Sequence, residues 1–223
     1  HAKDLTIDHF AVTHGNEHII IDGRATPNPK DSIIAELRNV DIAYILNLVN
    51  FHAVEFSGKA TGKAYVASAF GKPSASAKLK VNDFRFEDGR MGTLYADAKW
   101  NDKEGQIDID ATAKDTVSNH VTNTVTPIET VILGYVSPRK DNIELNIAAK
   151  GTRIEFLKSF CSSFIDNVDA YANGNIQVAG PLSSINLTGD VTANGNLHLS
   201  PLNTTYRLKD AHIHAVPNEI RLV

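Results

Sequence analysis

The sequence predicts an all-β fold with two short helices, arranged as a curled antiparallel sheet made of two related repeat units. Three observations carry this expectation: apolar and polar residues alternate with period two along most of the chain, turn-forming clusters separate the alternating runs, and similar patterns recur about 112 residues apart. An extended strand turns successive side chains to opposite faces, so strict alternation separates an apolar face from a polar one. A helix would spread the same residues around its circumference.

The elements follow in order. Ile33, Ala35 and Leu37 alternate, which places a strand near 32–38. Residues 41–51 then carry helical spacing through Ile42, Tyr44, Ile45, Leu48 and Val49. Ala75, Leu79 and Val81 alternate with Ser74, Ser76, Lys78 and Lys80 after the turn Gly71-Lys72-Pro73. Leu94, Ala96, Ala98 and Trp100 follow Glu87-Asp88-Gly89, and Ile107, Ile109, Ala111 and Ala113 follow Asn101–Gly105. Ile143, Leu145, Ile147 and Ala149 follow Pro138–Asp141. Near residues 153–167 helical spacing returns through Ile154, Phe156, Leu157, Phe160, Cys161, Phe164, Ile165 and Val168. The longest alternation is the last: Ile185, Leu187, Gly189, Val191, Ala193, Gly195, Leu197 and Leu199 against Asn186 through His198. Neither helix has a wide polar face, so each is expected to cap the apolar face of the sheet.

The repeat divides the chain into a first unit, 1–112, and a second, 113–223. Tyr44-Ile45 matches Phe156-Leu157, Leu48 matches Phe160, Gly62 matches Gly174 and Val66-Ala67 matches Val178-Ala179. It also resolves an ambiguity. Residues 32–49 fit one long helix, but Ile33, Ala35 and Leu37 align with the alternating Leu145, Ile147 and Ala149.

Composition narrows the function classes. With 42% hydrophobic residues the chain can bury a core and is not a disordered tract. The 22 Lys and Arg against 26 Asp and Glu leave a net charge of −4, which disfavours a nucleic-acid partner needing a cationic face. One cysteine, Cys161, excludes an internal disulfide framework and a cysteine-rich zinc site. No apolar run approaches the length of a membrane-spanning helix. The sequence begins without Met and ends within the strand-like Glu219–Val223, so the chain is expected to be a segment of a longer protein.

No catalytic or metal constellation emerges, and no cofactor is expected. Gly58-Lys-Ala-Thr-Gly62-Lys63-Ala64 imitates a phosphate loop, but Ser57 replaces the first glycine and Ala64 the Mg²⁺-binding hydroxyl. His14 and His18 lack a helix to align them; His212, His214 and His198 lack a completing shell. Asp108 and Asp110 share the polar face of one strand, which reads as a solvated surface. Cys161, among Leu157, Phe160 and Phe164, reads as a small hydrophobe.

The run Gly174-Asn-Ile-Gln-Val-Ala-Gly-Pro-Leu-Ser-Ser-Ile-Asn-Leu-Thr-Gly-Asp-Val resembles the TamB/AsmA-like family of Gram-negative envelope proteins, with Leu202–Leu208 and Asn218–Leu222 beyond it. Phe56–Gly62 and Gly89–Trp100 are similar, and the resemblance covers roughly residues 20–223. It implies a β-taco with a continuous hydrophobic groove, and a periplasmic place in a protein anchored in the inner membrane by a helix outside this chain. It implies no enzyme activity, phospholipid acyl chains as ligand, and an outer-membrane barrel protein as partner through flanking segments. The implied functions are phospholipid movement or the translocation and assembly of outer-membrane proteins. The groove candidates are Ala75, Leu79, Leu94, Ala98, Ile107, Ile109, Leu145, Ile147, Ile185, Leu187, Val191, Leu197 and Leu199.

Small inward residues such as Ala75, Ala98 and Ala193 leave room for a ligand, or else let two sheets approach closely. A secreted glycan-binding or adhesin module is the alternative. Glycan binders expose aromatics in polar clefts, whereas Trp100 falls on the apolar phase. A β-helix hydrolase fits less well, for want of an acid–base pair and because 112 residues far exceeds one solenoid coil.

Overall fold

A computed structural model describes residues 4–48, 54–119, 124–160, 162–217 and 219–222. Among these residues, thirteen strands form one sheet in which each strand pairs antiparallel with its sequence neighbours. They are β1 (Leu5–His14), β2 (Glu17–Ala25), β3 (Ser32–Asp41), β4 (Phe56–Ala67), β5 (Ser74–Phe86), β6 (Gly89–Asn101), β7 (Gln106–Asn119), β8 (Thr124–Ser137), β9 (Asn142–Arg153), β10 (Ile165–Gly180), β11 (Asn186–Leu199), β12 (Thr204–Val216) and β13 (Glu219–Leu222). Helix α1 (Ile42–Leu48) joins β3 to β4, and α2 (Leu157–Phe160) joins β9 to β10. The fold is therefore all-β with two short helices.

One expected boundary changes. The second helix is a single turn, because Ile165 and Val168 belong to β10, where Val168, Ala170 and Ala172 alternate inward. Of the first helix, residues 49–51 lie outside those described, as does Cys161. The proposed unit boundary at 112/113 falls inside β7, where pairing with β6 and β8 runs on unbroken. The repeat is a repetition of strand–helix–strand geometry within one continuous sheet.

That repetition reaches backbone detail. Gly62 and Gly174 face the next strand so closely that a Cβ would lie 2.0 Å from the Lys78 carbonyl oxygen and 2.3 Å from that of Asp190. Asn39 and Gly151, the same interval apart, both take positive φ at a bulge. The Asn39 amide donates to Thr61 Oγ1 at 3.1 Å, and the Gly151 amide to Asn173 Oδ1 at 2.8 Å. Two further bulge amides are held alike, His9 by Asp22 and Asp210 by Asn194. Bulges bend the strand that carries them. The one at His9 lies farther down β1, between Ile7 and Phe10, whereas those at Asn39, Gly151 and Asp210 bend the sheet at the end that bears the helices.

Both cores sit at that end. Ile42, with Ile45 and Leu46 of α1, covers Ala60, Val81, Phe84, Met91, Leu94, Ala111 and Ala113. Ile154, Phe156 and Leu157 cover Val168, Ala170, Ala172, Val191, Ala193 and Leu208. Phe86 packs against both clusters, with its ring 5.2 Å from that of Phe156. Gly89 permits this junction, since a Cβ there would stand 2.8 Å from the Phe156 nitrogen.

Candidate functional site

The register of the sheet turns strand-by-strand alternation into continuous rows running across the strands. One row passes through Val12, Ile19, Leu37, Gly62, Leu79, Ala96, Ala111, Ile132, Ile147, Ile176, Gly189, Ala215 and Ile220, one residue from every strand, none of them polar. The next row joins Phe10, Ile21, Ala35, Ala64, Ala77, Ala98, Ile109, Gly134, Leu145, Val178 and Leu187. A third contains Val66 with Ala75, and Trp100 with Ile107, Val136 and Ile143. At about 4.8 Å per strand, an apolar strip crossing thirteen strands runs nearly 60 Å along the sheet.

Among the described residues, all strands belong to one sheet and no second sheet seals this strip. Two face-packed sheets about 10 Å apart would bury the inner residues fully, yet Leu79, Ala98, Ile107, Ile109, Leu145, Ile147 and Leu187 stay half-buried. Phe10 and Val12, on edge strand β1, are 55% and 49% exposed. The strip is thus closed by helices at one end of the strands and partly exposed along the rest, with Leu37, Ala111 and Ile143 buried within it.

The sequence candidates distribute unevenly over this geometry. Leu79 and Ile147 lie in the first row; Ala98, Ile109, Leu145 and Leu187 in the second; Ala75 and Ile107 in the third. Leu94 and Val191 are corrections, since they lie in the two cores, buried to 7% and 8% exposure. Leu197 and Leu199 sit at the helix-bearing end, paired with Val168 and Ile165, and Ile185 lies just before β11. Sequence reading missed Phe10, Val12, Ile19, Ile21, Ile132, Ile176 and Val178. Their alternation is hidden where both faces are apolar, as in Val131-Ile132-Leu133, of which Leu133 is 47% exposed on the other face.

The opposite face is polar and internally paired. Lys63 faces Glu36, Lys78 faces Asp97, and Lys114 faces Glu129 across neighbouring strands. The segment imitating a phosphate loop is part of β4, where Lys59 Nζ donates to Glu17 at 2.6 Å and Asp41 at 3.3 Å. Asp108 accepts from Gln106 Nε2 at 2.6 Å and Asn101 Nδ2 at 3.1 Å. His198 bonds Asp166 and His214 bonds Asp190; the Asp166 carboxyl is held below its usual range chiefly by that His198 bond. Among the described residues, no three His, Cys, Asp or Glu side chains converge as a metal site would require.

Two depressions mark this polar face. One, of about 480 Å³, is lined by Thr61, Lys78, Lys80, Tyr95, Asp97, Asp110 and Thr112, besides Leu79 and Ala96. The other, of about 540 Å³, lies among Val131, Leu133, Asn146, Asn175, Gln177, Thr188 and Asp190.

Comparison with protein-family models, curated proteins and solved structures gave no match to this chain.

Proposed function

We propose that this chain is a non-catalytic segment of a TamB/AsmA-like cell-envelope protein, whose apolar strip carries phospholipid acyl chains through the periplasm. The observation that supports it is the unbroken apolar row across the thirteen described strands, buried at Leu37 and Ala111 and partly exposed at Leu79, Ala96, Ile132 and Ile147. Each methylene laid on such a strip leaves water with a gain of about 0.8 kcal/mol. Since the row offers no directed polar contact, a chain can slide along it without breaking hydrogen bonds. Lipid would lie across the strands, the direction in which the sheet can be extended by further strands. In the same reading the parent protein is anchored in the inner membrane and meets an outer-membrane barrel protein through flanking segments.

The experiment replaces Leu187 by Asp in the full-length protein. This puts a charge in the second row without entering either core. The fold is expected to persist while lipid movement to the outer membrane falls. Full envelope function in a stably produced Leu187→Asp protein would refute the reading.

One observation favours the alternative of glycan binding. Tyr95, 48% exposed, lines the polar depression beside Lys78, Lys80 and Asp97, and exposed aromatics in polar clefts stack on sugars. Trp100, by contrast, is half-buried on the apolar face under the Arg139 guanidinium, 5.0 Å from its ring.

A further inference from the structure

Among the described residues, the strand pairing leaves the far parts of β7 and β8 with no strand beside them but each other. β6 follows β7 only to the Thr93–Lys114 pair, and β9 follows β8 only to Glu129–Lys150. Beyond these, β7 and β8 continue together for five more pairs, from Asp115–Ile128 to Asn119–Thr124. The separation has a cause at its base. Gly92 lies so close to β7 that a Cβ would stand 2.3 Å from the Lys114 oxygen, and β6 then turns inward to set Gly89 against Phe156. Arg90 fixes the branch point through two hydrogen bonds to Asp115, at 2.9 and 3.1 Å.

We propose that this free ribbon pairs with the same ribbon of a second copy of the chain, edge to edge along β7 and centred on Val117. A two-stranded ribbon alone is marginally stable, and an added strand relieves that. Thr116, Val117, Thr124, Val125 and Thr126 are β-branched and suited to pairing.

The remaining edges carry devices that block pairing. β8 has Pro127, which lacks an N–H. β1 has the bulge at His9 and the charge of Asp8, and β13 carries Glu219 and Arg221. Between Thr116 and Ile128 there is no Lys, Arg, Asp or Glu. The β7 edge also complements itself. Antiparallel pairing about Val117 sets Val117 opposite Val117, Thr116 opposite Ser118 and Asp115 opposite Asn119, so no like charges meet. Such a contact is two-fold and closes as a dimer instead of growing into a filament.

The test is sedimentation of the chain over a concentration series, with variants on each side of the ribbon. The expected result is a rise to twice the monomer mass, lost in Val117→Lys, which sets two ammonium groups face to face, and kept in Val125→Lys. Circular dichroism checks that both variants fold. In a Cys161→Ser background, oxidised Val117→Cys should form a covalent dimer while Val125→Cys does not. A chain that remains monomeric at every concentration, or a dimer that Val117→Lys leaves intact, would overturn the proposal.

Discussion

Truncating Leu79 and truncating Phe84 separate an open strip from a sealed core. Phe84 is 3% exposed in the first core, stacked on Phe56 at 5.8 Å and covered from the α1 side. Phe84→Ala should leave an enclosed void and cost about 3–5 kcal/mol. Leu79, a few residues earlier on the same strand, is half-buried in the first apolar row. A leucine locked in a closed core would cost about 2–5 kcal/mol on truncation to Ala. On the open strip no void is enclosed, and only part of the transfer gain of about 1.5–3 kcal/mol is lost. Leu79→Ala should therefore cost about 1 kcal/mol. Urea unfolding followed by circular dichroism, with unchanged m-values, reads both numbers. A Leu79→Ala cost of 3 kcal/mol or more, equal to that of Phe84→Ala, would mean that the row is covered and the reasoning wrong.

Three further outcomes follow from local geometry. Thr130 and Thr152 share a buried Oγ–Oγ hydrogen bond of 2.6 Å; Thr130→Val should cost about 1–3 kcal/mol by stranding Thr152, and adding Thr152→Val should recover much of it in the same unfolding assay. Gly174, at φ +144° and against the Asp190 carbonyl, should not tolerate a side chain; Gly174→Ala should lower stability by about 1–3 kcal/mol, seen as a lower melting temperature. Because His198 holds the Asp166 carboxyl below its usual range, that pair stabilises the fold above the unfolded carboxyl value, near 3.9. The contribution is lost as pH falls through the lowered folded value; in His198→Ala the Asp166 carboxyl resonance should titrate at higher pH than in the parent chain.

The sequence made the strands legible wherever one face is apolar and the other polar, as in Leu94–Trp100 and Ile107–Ala113. It also placed Leu145, Ile147 and Leu187 on the same face, because alternation fixes a phase without knowledge of neighbours. What it could not supply is register, which decides that Leu79 meets Ala96 and then Ala111. Bulges were equally hidden. At Asn39 the backbone turns left-handed, so the inward phase slips from Leu37 to Val40. Nothing in the local pattern signals this. The second helix was overread because Leu157, Phe160, Phe164, Ile165 and Val168 fit helical spacing by coincidence. The competing signal was present in Val168, Ala170 and Ala172, which alternate into β10. Leu94 and Val191 shared the phase of the strip, yet the helices that bury them act through tertiary packing alone.

Adjacent residues on opposite faces give the most direct measurement. A photo-crosslinking side chain at Leu145 projects from the second apolar row, whereas one at Asn146 projects beside Gln177 on the polar face. In cells producing the full-length protein, irradiation followed by mass spectrometry should yield phospholipid adducts at position 145 and none at 146. Equal lipid labelling at both positions, or none at 145 in a folded protein, would contradict an acyl chain lying along the apolar strip.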